Sequence, residues 1–165
     1  MTSLQNRISR KTITFLAYYQ IIGGILGLLV LAYYVFTTDS IHWLFGSIMA
    51  FGAILFLLSI ISGQQLLKGN LQTGLNLSII TQLIQLASFA ISGYAFMFIS
   101  GVMISVGIEL TYGFELTSGF SLSELDFNIN KEKELVLLRI NLVALCLLVV
   151  LGKLKSEIKR VPGET

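Results

Sequence analysis

Proline, cysteine and histidine occur once each in 165 residues, and only 12% of the residues are charged. A soluble domain is about 25% charged. Each scarcity excludes something. Pro162 lies outside every long apolar run, so no run contains a residue that must kink a helix. The lone Cys146 rules out an intramolecular disulfide and is expected to be a small buried apolar side chain in the last run. One histidine and one cysteine cannot supply the clustered ligands of a metal centre. Phosphate-binding loops, dinucleotide fingerprints, H-E-x-x-H, G-x-S-x-G and C-x-x-C patterns are all missing. No catalysis, cofactor or metal is therefore expected. The net charge of +2, with no basic patch carrying interleaved aromatics, argues against a nucleic-acid partner.

What the chain has instead is hydrocarbon. Hydrophobic residues make up 55%, gathered in runs longer than the ~18 residues that mark a spanning helix. Four spans are expected, over residues 14–36, 41–67, 71–98 and 134–154. The first follows Arg7, Arg10 and Lys11 but is too long for the apolar region of a signal peptide, so it is expected to be retained. With four spans, Arg7, Arg10, Lys11, Lys68, Lys153, Lys155, Lys159 and Arg160 all fall on one side. This bias places both termini in the cytoplasm. Tyr18, Tyr19, Tyr33, Tyr34, His42 and Trp43 sit where interfacial anchors are expected. The composition suits a bacterial inner membrane.

The third run stays apolar from Ile79 to about Leu110, too long for one span. From Val106 to Thr117 apolar and polar positions alternate without a fault, the signature of a half-buried strand. Ser118-Gly119 supplies a hairpin turn signal, and a phase slip near Ser123-Glu124 suits a β-bulge. An outer amphipathic hairpin over 103–130 is expected. A capping box at 121–124 leaves a short helix over 122–134 as the alternative. The fold class expected is an all-α membrane protein: a four-helix transmembrane bundle with a small extracytoplasmic β-hairpin between helices 3 and 4. Residues 1–165 form a single integral membrane domain.

Candidate site residues follow from chemistry inside lipid. Gly74, Ser78, Thr81, Gln85, Ser88 and Ser92 repeat at 4-3-4-3-4 spacing, on one face if the helix is continuous. With Gln82 beside them and Gln20 on span one, they form a candidate polar seam. The seam is either an interhelical packing face or a hydrated path. Gly23, Gly27, Gly46 and Ala50 are candidate helix-packing positions. Arg139 is the charge set within an apolar run, with Asn141 beside it. An intramembrane charge is a functional candidate by default, though Arg139 could also anchor to Glu132 or Glu134. Tyr112, Phe114, Leu116, Phe120, Leu122 and Phe127 form a candidate association surface on the hairpin. The expected function is a non-catalytic subunit or scaffold of a membrane assembly. It would bind the lipid bilayer and associate with copies of itself or a membrane-protein partner. A small oligomeric channel or transporter, or an immunity protein against a membrane-active toxin, are the alternatives.

Overall fold

The computed structural model of the chain describes residues 3–38, 42–129 and 135–159. Helices α1 (Ser3–Thr37), α2 (Trp43–Leu67) and α3 (Leu71–Leu86) come first. Strands β1 (Ala87–Ile91), β2 (Tyr94–Glu109), β3 (Glu115–Ile129) and β4 (Leu137–Asn141) follow, and helix α4 (Leu142–Lys159) closes the chain.

The expected four-helix bundle is not what forms. Helices α1 and α2 contain stretches long and apolar enough to cross a membrane, Arg10–Thr37 and Trp43–Leu67. Among the described residues no other helix does. At 16 residues, α3 spans roughly 24 Å, short of a ~30 Å hydrocarbon layer. Helix α4 has 18 residues and carries Lys153, Lys155 and Lys159 in its second half. The expected third and fourth spans each change state midway, at Leu86–Ala87 and at Asn141–Leu142. The reason is local. Residues 88–91 alternate between small and bulky, and Ser92-Gly93 follows, both with positive φ (52° and 89°). Ile91 pairs with Tyr94 across those two residues. This is the two-residue turn with positive φ at both positions, whose twist matches that of paired strands.

The hairpin is larger than expected, and its turn lies elsewhere. Strands β2 and β3 pair from Tyr94↔Ile129 to Glu109↔Glu115. The chain reverses over residues 110–114, inside the fault-free alternation, while Ser118 and Gly119 lie within β3 opposite Val106 and Ser105. The alternative helix over 122–134 is not formed where described, because β3 runs to Ile129; residues 130–134 lie outside the described residues. Opposite Ser123, β2 carries two residues, Ser100 and Gly101, between the pairs Ile99↔Glu124 and Val102↔Leu122. The register therefore breaks near Ser123-Glu124, with the extra residue on the partner strand. Gly101 has φ of 110° and Ser123 of 32°.

This bulge bends β2 strongly. Strand β1 pairs with β2 before the bulge, β4 pairs with β2 after it, and β1 also pairs with β4. A flat sheet cannot pair three strands in all three combinations, so they close into a collar. Its inner side is small or polar: Ala90, Ala95, Ser105 and Asn141 are buried there.

Two apolar cores result. At one end all four helices meet through Leu16, Leu66, Leu75 and Leu151. At the other, α1 and α2 pack on the sheet through Leu31, Leu55, Phe56 and Phe98, with the Phe56 and Phe98 rings 5.1 Å apart. The sheet thus takes the place that the second halves of two helices would fill in a bundle.

One tight joint is α1 against the bulge. A Cβ added at Gly23 would stand 2.5 Å from the Gly101 nitrogen, a backbone contact that no rotamer change relieves. Gly23→Val should lower stability by about 1–3 kcal/mol. Gly152 has nothing within 4 Å of an added Cβ, so Gly152→Ala should raise it by roughly 0.5–1 kcal/mol. Thermal unfolding in detergent, followed by circular dichroism, separates the two; a Gly23→Val protein as stable as the parent would contradict this packing.

Candidate functional site

Between the two apolar cores lies a buried polar layer. It gathers Gln20 from α1, Ser59 and Ser62 from α2, Ser78, Thr81, Gln82 and Gln85 from α3, Ser100 and Ser105 from β2, Ser123 from β3 and Asn141 from β4. The expected seam is thus partly assembled. Gln20, Ser78, Thr81, Gln82 and Gln85 are all buried. Ser88 and Ser92 are not on that helical face, because α3 has ended: Ser88 is half-buried in β1 and Ser92 is exposed in the turn.

The layer is wired by hydrogen bonds across elements. The Gln20 carboxamide oxygen accepts from the hydroxyls of Ser78 (3.1 Å) and Ser62. The Ser59 hydroxyl donates to the Gln20 carbonyl (3.1 Å) and accepts from the Ser100 hydroxyl (2.8 Å). Gln85 does not reach another helix. Its Oε1 accepts the backbone N–H of Ser100 (2.8 Å) while its Nε2 donates to the Thr81 carbonyl (3.3 Å). The neighbouring bulge N–H groups are met in the same way. Gly101 N donates to Ser123 Oγ (3.0 Å), and that hydroxyl donates to the Gly23 carbonyl (3.0 Å). Val102 N donates to the Tyr19 hydroxyl (3.0 Å), which lies 3.2 Å from the Val102 carbonyl and donates to it. Nothing in the spacing of Ser100, Ser123 and Tyr19 pointed to these roles. The one available signal was the phase slip near Ser123, which marks where ladder bonds fail and side chains must replace them.

Several polar atoms in and around the layer have no hydrogen-bond partner among the described residues. Gln82 is 1% exposed, yet neither its Oε1 nor its Nε2 is hydrogen-bonded. Gln20 Nε2, Asn141 Nδ2, Thr117 Oγ1 and Arg139 Nε are also buried and unpartnered. Buried polar groups are bonded in the great majority of cases, so these exceptions mark candidate positions for water or ligand.

The remaining expected residues are placed as follows. Arg139 is half-buried on β4 and Asn141 is buried at the start of α4. Gly27 packs against the Phe56 ring on α2, but Gly23 packs against β2 rather than a helix. Ala50 is exposed and Gly46 half-buried, so the close contacts of α2 fall instead at Gly52, against Leu125, and Gly63, against the Ala17 carbonyl. Tyr112, Phe114, Leu116, Phe120, Leu122 and Phe127 are all exposed, with Leu116 at 81%. Cys146 is exposed on α4 rather than buried. His42 is exposed at the start of α2 and makes no side-chain cap. Among the described residues no cluster of three or more metal-ligating side chains forms.

Neither a protein-family model, nor a curated protein, nor a solved structure matches this chain.

Gln85 and Gln82 make opposite predictions from adjacent positions. Gln85→Leu strands the buried Ser100 N–H and should destabilise the protein by about 1–3 kcal/mol. Gln82→Leu removes two unpartnered atoms and should be neutral or stabilising. Unfolding curves of the two variants in one detergent check this; equal destabilisation would contradict the assigned hydrogen bonds.

Proposed function

We propose that the protein is a non-catalytic multi-pass membrane protein, a subunit or scaffold of a membrane assembly that associates through the outward face of its sheet. The observation that carries this is the orientation of the sheet's two faces after the bulge. Ile104, Val106, Phe120, Leu138 and Ile140 are exposed, while Ser105 and Asn141 are buried. A sheet in water turns its apolar face inward. Apolar outside and polar inside is the arrangement of strands at membrane depth.

Placement supports the same reading. The sheet packs beside Leu31 and Leu55 of the two helices long enough to span, so its outer face shares their depth. The helical core, at the other end, is built from residues beside Arg10, Lys11, Lys68, Lys153 and Lys155. Those cations therefore gather at one end, as expected of a cytoplasmic side that holds both termini in a bacterial inner membrane. An exposed apolar surface of this extent is covered by lipid or by protein. Strand β3 adds an unpaired edge, since it lies last in the sheet order β1-β4-β2-β3, and such an edge can accept a further strand.

The test is cross-linking in native membranes. In a Cys146→Ser background, single cysteines at Val106 or Ile140 should yield one discrete larger species with a bifunctional thiol reagent. Uncross-linked monomer at every outward position would contradict association. The unpartnered carboxamide of Gln82 favours a second reading, a channel or transporter with water in the polar layer. Cysteines at Thr81 and Gln85 decide it: the scaffold account expects no reaction with water-soluble thiol reagents, and a transport path expects labelling.

A further inference from the structure

We propose that the inner side of the strand collar binds an oxyanion, a carboxylate or phosphate group, held by Arg139 and Asn141 with the Thr117 hydroxyl at its edge. Arg139 and Asn141 alternate on β4, so both belong to the inner side. Arg139 stands opposite Gly107 and Asn141 opposite Ser105. On the next strand Gly107 faces Thr117, and Ser105 faces Gly119. The two glycines open the space. A Cβ at Gly107 would meet Arg139 Cγ at 2.6 Å, and one at Gly119 would lie 3.8 Å from Arg139 Nη1. The guanidinium therefore extends across β2 towards β3. Glu109 shares the inner side, but it lies along β2 in the opposite direction. No described carboxylate pairs with Arg139, and its buried Nε has no partner.

Electrostatics at this position demand an anion. Arg139 stands just before α4, which begins at Leu142. A helix N-terminus carries about half a positive charge, so a cation there is repelled. A partly buried charge with no partner among the described residues, which exclude Glu132 and Glu134, is also strongly unfavourable. One anion relieves both.

Asn141 supplies an independent observation. It is 2% exposed. Its Oδ1 accepts the backbone N–H groups of Val143 (3.0 Å) and Ala144 (3.2 Å). Backbone N–H groups only donate, so the orientation of the carboxamide is fixed. Nδ2 is then a certain donor, buried and without a partner. Thr117 Oγ1, on the same inner side, also lacks one. A planar guanidinium and a free amide donor on the same side of one strand suit the two oxygens of a carboxylate or phosphate. A free anion and an anionic lipid headgroup offer this same chemistry.

The experiment uses the full chain in a nonionic detergent. Thermal unfolding is followed as inorganic phosphate replaces sodium chloride at constant ionic strength. The wild-type midpoint should rise with phosphate, because a ligand that binds only the folded state stabilises it. In Arg139→Gln the apparent affinity should fall at least tenfold. Asn141→Asp keeps the helix-capping oxygen and places a carboxylate beside Arg139, so its midpoint should not depend on phosphate. Native mass spectrometry of mildly extracted protein identifies the source. One anionic lipid retained per wild-type chain and lost in Arg139→Gln points to a headgroup; phosphate stabilisation without retained lipid points to a free anion. A wild-type protein with neither phosphate dependence nor retained anionic lipid overturns the proposal. So does equal phosphate dependence in Arg139→Gln.

Discussion

Three consecutive backbone N–H groups, at Ser100, Gly101 and Val102, donate to side chains rather than to a strand ladder. The acceptors come from three different elements: Gln85 on α3, Ser123 on β3 and Tyr19 on α1. Everything else in the architecture depends on this knot. A bulge this sharp is needed to fold β2 into the collar with β1 and β4, and it strips the strand of ladder bonds where Ser100 and Gly101 are buried and Val102 is half-buried. In a water-poor interior each orphaned group would cost several kcal/mol. The polar layer exists to prevent that, and it joins the helices to the sheet at the same stroke.

The layer also explains the two-part core. Beneath it, the four helices meet around Leu75 and Leu151; beyond it, two helices and a bent sheet pack around Phe56 and Phe98. The hydrogen-bonded stratum between them fixes their relative register, since Gln20 engages α2 and α3 while its neighbour Tyr19 holds the bulge. Glycine at position 23 makes the approach possible, and alanine already has a Cβ too many.

Much of this was legible in the chain. The first two helices followed from hydropathy alone, and the alternation after Val106 pointed to strand structure, although the chain turns at 110–114 inside it. What failed was the assumption that a long apolar run is one helix. A strand whose outward face is apolar and whose inward face is small, such as Ala87–Ile91, carries the same mean hydropathy as a helix. Ser-Gly occurs at 92–93 and at 118–119; only the first turns the chain, because Ile91 and Tyr94 can pair around it while Ser118 and Gly119 are held in register by Val106 and Ser105. That difference is tertiary and cannot be seen in a dipeptide. The seam was half legible for the same reason. Its helical spacing holds from Gly74 to Gln85 and is meaningless after Leu86, where the chain becomes extended.

The central claim is that side chains from three elements satisfy the bulge. Residue-resolved amide hydrogen exchange tests it most directly. Ser100, Gly101 and Val102 should exchange as slowly as the helical core in the wild-type protein, and Tyr19→Phe should accelerate Val102 well before the other two. Fast exchange of all three amides in the wild-type protein would contradict the account.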